Sequence, residues 1–210
     1  MSKIKNFLPL LLGIAVVLAF MFGFVIAGGQ RNGQKSDEDL LYYFKNLSKY
    51  NCKVSITTIN DKQKLSYDCK LYYLKDNGSR LEIGKDRVLI YKGDKIYISD
   101  LVTKNKYTVD EDQGELYAMS FIQQYVKLMY VSDDTKYYEK QDKSTKLQLV
   151  DFSLPFGNSD MTRAVLSIDI TSRAPQKITI YDSEGKEKAE IKYSDFDTKG
   201  KIDSSLFSVA

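Results

Sequence analysis

Asn51–Gly78 reads NCKVSITTINDKQKLSYDCKLYYLKDNG, two polar-apolar alternating runs separated by turn-forming residues. Cys52, Val54 and Ile56 alternate with Lys53, Ser55 and Thr57, and Tyr67, Leu71 and Tyr73 alternate with polar neighbours. A period of two puts the apolar set of each run on one face of a strand, so the stretch is a β-hairpin with one face buried. A two-residue loop at Asn60-Asp61 sets Cys52 opposite Cys69, Val54 opposite Tyr67 and Ile56 opposite Leu65. On that register 52/69 is a non-hydrogen-bonded pair with Cα atoms about 4.5 Å apart, which a cross-strand disulfide tolerates. Two alternatives stay open. The thiols could pack free as small hydrophobes, or a loop shifted by one pair could set Cys52 against Tyr67 or Leu71.

Working outward, the same period continues through 79–83, 86–92, 95–101 and 104–109, divided by Asp76-Asn77-Gly78, Gly84-Lys85, Gly93-Asp94 and Lys104-Asn105. These are turn signals, so the segments form a meander of consecutive hairpins. Before the hairpin, Ser36-Asp37-Glu38-Asp39 favours a helix start, and Leu40, Leu41, Phe44 and Leu47 share one face of the helix that follows. After the meander, Leu116, Met119, Ile122, Val126 and Met129 recur at helical spacing, which predicts a second amphipathic helix over Gly114–Tyr130. Further strands are expected near 136–140, 145–152, 163–170, 176–182 and 187–194, the last two joined at YDSEGKE. The expected fold class is α+β: one long antiparallel sheet curling into a half-barrel over two or more helices.

Phe7 to Ala27 is a run of 21 residues without a charge, enough to span a bilayer as a helix. Its length favours a retained anchor, although Val25-Ile26-Ala27 is also an acceptable cleavage site. Ile26-Ala27-Gly28 leads in like a lipobox, but Gly29 stands where the lipidated Cys would be. The expected organisation is an anchor or uncleaved signal with a short linker at 1–35, followed by one domain at 36–210.

Composition narrows the chemistry. Lys and Arg number 31 against 28 Asp and Glu. Setting aside Lys3 and Lys5, the folded part is close to neutral, which argues against a nucleic-acid binder. The chain has no His, so His-based catalytic relays and His metal ligands are excluded. No GxSxG, P-loop, CxxC or GxGxxG pattern occurs. Asp133-Asp134 and Asp110-Glu111-Asp112 read as solvated turns rather than acid/base pairs. No catalytic, cofactor or metal residue is nominated, and the protein is expected not to be an enzyme.

The ending APQKITIYDSEGKEKAEIKYSDFDTKGKIDSSLFSV carries a resemblance. Pro175 opens a strand, Ile178, Ile180 and Asp182 run into a turn at Gly185, Ile191 and Tyr193 lead to Phe196, and Ile202, Asp203 and Phe207 close the chain. This pattern resembles the lipoprotein-carrier superfamily of LolA, LolB and RseB type over roughly residues 36 to 208. Within it, the chain is most similar to the clostridial germination lipoproteins of GerS type. That resemblance implies a LolA-like fold and a sporulation role in the space between the forespore membranes. It also implies a partner, a CwlD-type N-acetylmuramoyl-L-alanine amidase whose zinc belongs to the amidase. The superfamily equally implies an alternative, an extracytoplasmic carrier holding a lipid or lipoprotein acyl chain in a hydrophobic cavity. An envelope stress-sensor subunit is a third class, with no residue that points to it. Free hairpin edges would allow a homodimer.

Overall fold

The computed structural model describes residues 39–110, 115–131, 134–155 and 161–209. Eleven strands lie in chain order: β1 Lys49–Ile59, β2 Lys64–Leu74, β3 Gly78–Ile83, β4 Arg87–Lys92, β5 Lys95–Asp100, β6 Lys106–Asp110, β7 Lys136–Asp142, β8 Thr145–Ser153, β9 Arg163–Asp169, β10 Ala174–Tyr181 and β11 Glu187–Asp197. They form one antiparallel sheet in the order β6-β5-β4-β3-β2-β1-β11-β10-β9-β8-β7. Each turn signal read in the sequence separates an observed pair of strands, because short loops leave the next strand no other neighbour within reach. Gly78 opens β3 at φ +106°, a conformation open to glycine, and its missing Cβ leaves room for the Tyr91 carbonyl oxygen of β4.

The seam between β1 and β11 was not legible in the sequence. Val54 faces Tyr193 and Ile56 faces Ile191, so two separate meanders, β1–β6 and β7–β11, become a single open, curved sheet. Near its end β11 carries a bulge: the register slips between Asn51 and Lys53, and Asp195 sits at φ 54°. The extra residue turns Phe196 inward, where its ring lies 5.0 Å from that of Tyr50.

Helices cover one face. In α1, helical over 39–45, Leu40 and Phe44 are buried, as is Leu47 just after it. The single helix expected over Gly114–Tyr130 is two, α2 Glu115–Ala118 and α3 Ile122–Val131. Between them the backbone tightens: Ser120 N and Phe121 N each reach back three residues, to Tyr117 O and Ala118 O, both at 3.0 Å. Ser120 Oγ also donates to Tyr117 O at 2.7 Å. A serine hydroxyl competing for a backbone carbonyl is a known way to interrupt a helix. Of the expected stripe, Met119, Ile122 and Val126 are nevertheless buried and Leu116 is partly buried. Tyr125, outside that stripe, is buried with them, against Val54, Ile56, Leu71, Leu81, Val150, Ile178 and Ile191 of the sheet. Each fully buried aliphatic side chain stabilises by about 1.5–3 kcal/mol, so this face is the principal core.

The chain end crosses the other face. Asp203 Oδ1 accepts from Ser205 N at 2.9 Å and caps a 3-10 turn, Ser204–Phe207. Arg80, which alternates with core-facing Leu81 on β3, donates through Nη1 to Leu206 O at 2.8 Å. Phe207 is buried there, apart from the helix-covered core. The closing Ile202-Asp203-Phe207 segment therefore packs back onto the sheet, as the resemblance implies. Among the described residues no helix is long and apolar enough to cross a membrane; Phe7–Ala27, Ser36 and Gly114 lie outside them.

Candidate interaction surface

The β1–β2 hairpin has a different register from the expected one. Asn60 N donates to Gln63 O at 3.1 Å, and Asn60 Oδ1 accepts from Lys62 N and Gln63 N, both at 2.9 Å. This side-chain turn holds four residues, Asn60 to Gln63, in the loop instead of two. Cys52 consequently faces Leu71, Cys69 faces Val54, and Ile56 faces Tyr67. The two cysteines are diagonal neighbours on the core face, where Cα atoms lie about 7–8 Å apart, beyond ordinary disulfide reach. Both are buried and free. Burial pushes the Cys52 thiol far above its ordinary value and Cys69 up to about 12, so neither is a poised nucleophile. The candidate disulfide thus gives way to two packed thiols.

Polar groups inside the core gather at the break between α2 and α3. Tyr50 of β1 accepts from Ile122 N at 3.1 Å and donates to Gln123 Oε1 at 2.7 Å. Tyr193 of β11 donates to Ser120 O at 2.8 Å, and Tyr125 donates to Met119 O. The break leaves backbone groups that a continuous helix would satisfy, and three buried hydroxyls satisfy them instead. Burial raises all three phenols well above the usual value. Phe121 stacks edge-on against Tyr91 at 5.1 Å, and Tyr125 against Phe152 at 5.4 Å. The break therefore touches both meanders. It reads as structural cement, with every hydroxyl committed to the backbone or to Gln123.

Exposed apolar groups collect elsewhere, at the β5–β6 end of the sheet. Asp100 Oδ1 accepts from Thr103 N at 2.8 Å and Val102 N at 3.1 Å, and Leu101 N donates to Asp86 O at 2.7 Å. Those bonds, the Thr103 amide foremost, hold the Asp100 carboxyl below its ordinary value. A well-bonded turn thereby presents Leu101, 52 % exposed, and Val102, 70 % exposed. Tyr107, 48 % exposed, follows on the edge strand. A groove of about 210 Å³ runs beside it, lined by Tyr97, Tyr107, Thr108 and Val209 among others. Apolar side chains clustered on an ordered edge suit contact with another chain. Alternation alone puts Leu101 in a strand and the turn at Lys104-Asn105; two adjacent apolar residues at a tight turn are the overlooked signal. Among the described residues no three His, Cys, Asp or Glu side chains gather as a metal site would require.

An uncharacterised conserved protein of Thermus thermophilus shares the fold, with a TM-score of 0.57 at 14% identity, over 83% of this chain and 94% of that one. More distant is a chain of the complex between the CwlD amidase of Clostridioides difficile and the GerS lipoprotein: TM-score 0.47, 21% identity, 78% of this chain and 94% of that one. A LolA superfamily protein of Nitrosomonas europaea gives 0.42 at 11% identity, over 84% and 97%. No curated protein matches the chain. The family described as sporulation protein YdcC-like matches residues 9–207, nearly the whole sequence, and the chain belongs to that family.

Proposed function

We propose that this protein is a non-catalytic adaptor of sporulation, displayed outside the cytoplasm on a membrane anchor at Phe7–Ala27, that binds and activates a CwlD-type cell-wall amidase. The observation that carries the reading is the bulk of the core side chains. Tyr50, Phe44, Phe121, Tyr125 and Phe152 are fully buried between sheet and helices, the space where a carrier would need an acyl-chain cavity. What remains for function is surface, and among the described residues Leu101, Val102 and Tyr107 form an exposed apolar edge. The sporulation family and the residue pattern at 174–208 both support this setting. A chain without His brings no relay of its own, which suits a protein whose partner holds the zinc. The carrier reading needs a larger void than the edge groove offers, since small-molecule pockets run to about 300–1,000 Å³.

The test is genetic and biochemical together. Deleting the gene should abolish muramic-δ-lactam in spore cortex, and the amidase should co-purify with the full-length protein. Normal lactam content would remove the adaptor reading, and co-purified lipid without amidase would replace it with the carrier.

A further inference from the structure

Open sheet edges are templates for pairing, and chains commonly blunt them with charge. The two edges of this sheet differ in what a second copy would meet. We propose that β6 is a homodimerisation strand: two copies of this chain pair β6 against β6, antiparallel, about a two-fold axis through Thr108. The strand shares Tyr107 with the edge offered to the amidase, but the pairing rests on β6 alone and its test does not involve the amidase.

The backbone is set for it. Asp100 N donates to Asn105 O at 2.9 Å, which fixes the alternation in the β5–β6 ladder. Tyr107 and Val109 turn their peptide groups toward β5, and Lys106, Thr108 and Asp110 turn theirs to the edge that no strand pairs among the described residues. With Thr108 facing Thr108, Lys106 meets the partner's Asp110 and Asp110 meets the partner's Lys106. All the outward groups are then used, for about six hydrogen bonds. The side chains agree with the backbone. On one face the dimer would carry two opposite-charge pairs around a threonine pair, and on the other, Tyr107 against Val109, an aromatic and a β-branched residue. Asp110 keeps its ion pair with Lys95. The charge order continues beyond the strand in the sequence, Lys104 and Asp112 being equidistant from Thr108. Such an interface is isologous and closes on itself.

The other edge is less suited to the same operation, since its full-length register and two of the shifted ones oppose like charges. Centring a β7 pair on Glu139 faces that carboxylate with itself. Centring it on Tyr138 sets Lys136 against Lys140, and centring it on Lys140 faces two ammonium groups. Like charges directly opposite destabilise a strand pair.

Cross-linking of the full-length chain in detergent micelles tests this. Thr108→Cys should form a disulfide-linked dimer under mild oxidation, because facing residues of a hydrogen-bonded pair lie about 5.5 Å apart. Tyr138→Cys on β7, which leaves Lys136 opposed to Lys140, should not. In the Thr108→Cys background, Lys106→Glu or Asp110→Lys alone should lower the yield about tenfold, each creating two like-charge pairs. Mixing those two variants should restore it, since every pair across the mixed dimer is then opposite in sign. Unchanged melting temperatures would show that the variants fold. The proposal is overturned if Thr108→Cys links no better than Tyr138→Cys, or if the mixture fails to recover.

Discussion

The Tyr193 hydroxyl donates to the Ser120 carbonyl oxygen across 2.8 Å, joining the seam strand β11 to the break between α2 and α3. Removing that hydroxyl while keeping the ring isolates its role. Tyr193→Phe leaves Ser120 O buried without its donor, which should cost about 1–3 kcal/mol. Urea unfolding should show a lower midpoint with unchanged slope, whereas Tyr107→Phe at the exposed edge should stay within about 0.5 kcal/mol of the parent.

The same tyrosines set the alkaline limit of the fold. Tyr50, Tyr125 and Tyr193 have folded-state values raised above the ordinary phenol value, which is about 10. Their contribution is therefore complete below about pH 10 and is lost as pH climbs toward the folded values. Of the 16 tyrosines, these three should ionise only as the protein unfolds. Tyrosinate absorbance rising in full before the loss of far-ultraviolet ellipticity would refute this.

Cys52 and Cys69 should resist alkylation in the native state at neutral pH and both react after denaturation, giving the same labelled mass with or without prior reduction. One disulfide revealed only by reductant would contradict the diagonal register. Cys52→Ala should cost about 1 kcal/mol, the loss of one buried sulfur.

Gly78→Ala should destabilise by about 2 kcal/mol or more. The backbone there sits at φ +106° and the new methyl would run into the Tyr91 carbonyl. Gly185→Ala, at φ +78° but facing open space, should cost less. Comparing their melting temperatures separates steric crowding from dihedral strain.

Leu101→Ser with Val102→Ser should leave stability within about 0.5 kcal/mol, since both side chains are solvent-exposed. On the adaptor reading, amidase capture by the full-length chain should fall sharply. Undiminished capture would move the contact elsewhere.

Much of this fold was legible because antiparallel strands declare themselves locally. Each run from Lys49 to Asp110 and from Lys136 to Asp197 alternates, and Asn77-Gly78, Gly84, Gly93 and Gly185 mark the reversals. What failed was everything set by a particular side chain or by distance along the chain. Asn60 widened the first loop by bonding its own turn, which moved Cys52 from Cys69 to Leu71. Ser120 cut a helix whose apolar spacing continues unbroken through the cut. The β1–β11 seam left no local trace, because no loop length or turn type encodes which distant strand will be the neighbour. The exposed edge at Leu101 and Val102 was hidden for a related reason: burial is decided by the whole sheet.

The seam has a consequence for the order in which the protein can be made. β1 lies at the centre of the sheet, yet one of its two flanks stays open until β11 arrives, so Ile56 waits for Ile191. Pairing so far apart in sequence is slow. Until almost its last segment has emerged, the chain therefore holds a half-built sheet whose central strand has one bare flank, the stage at which mispairing with another chain is easiest.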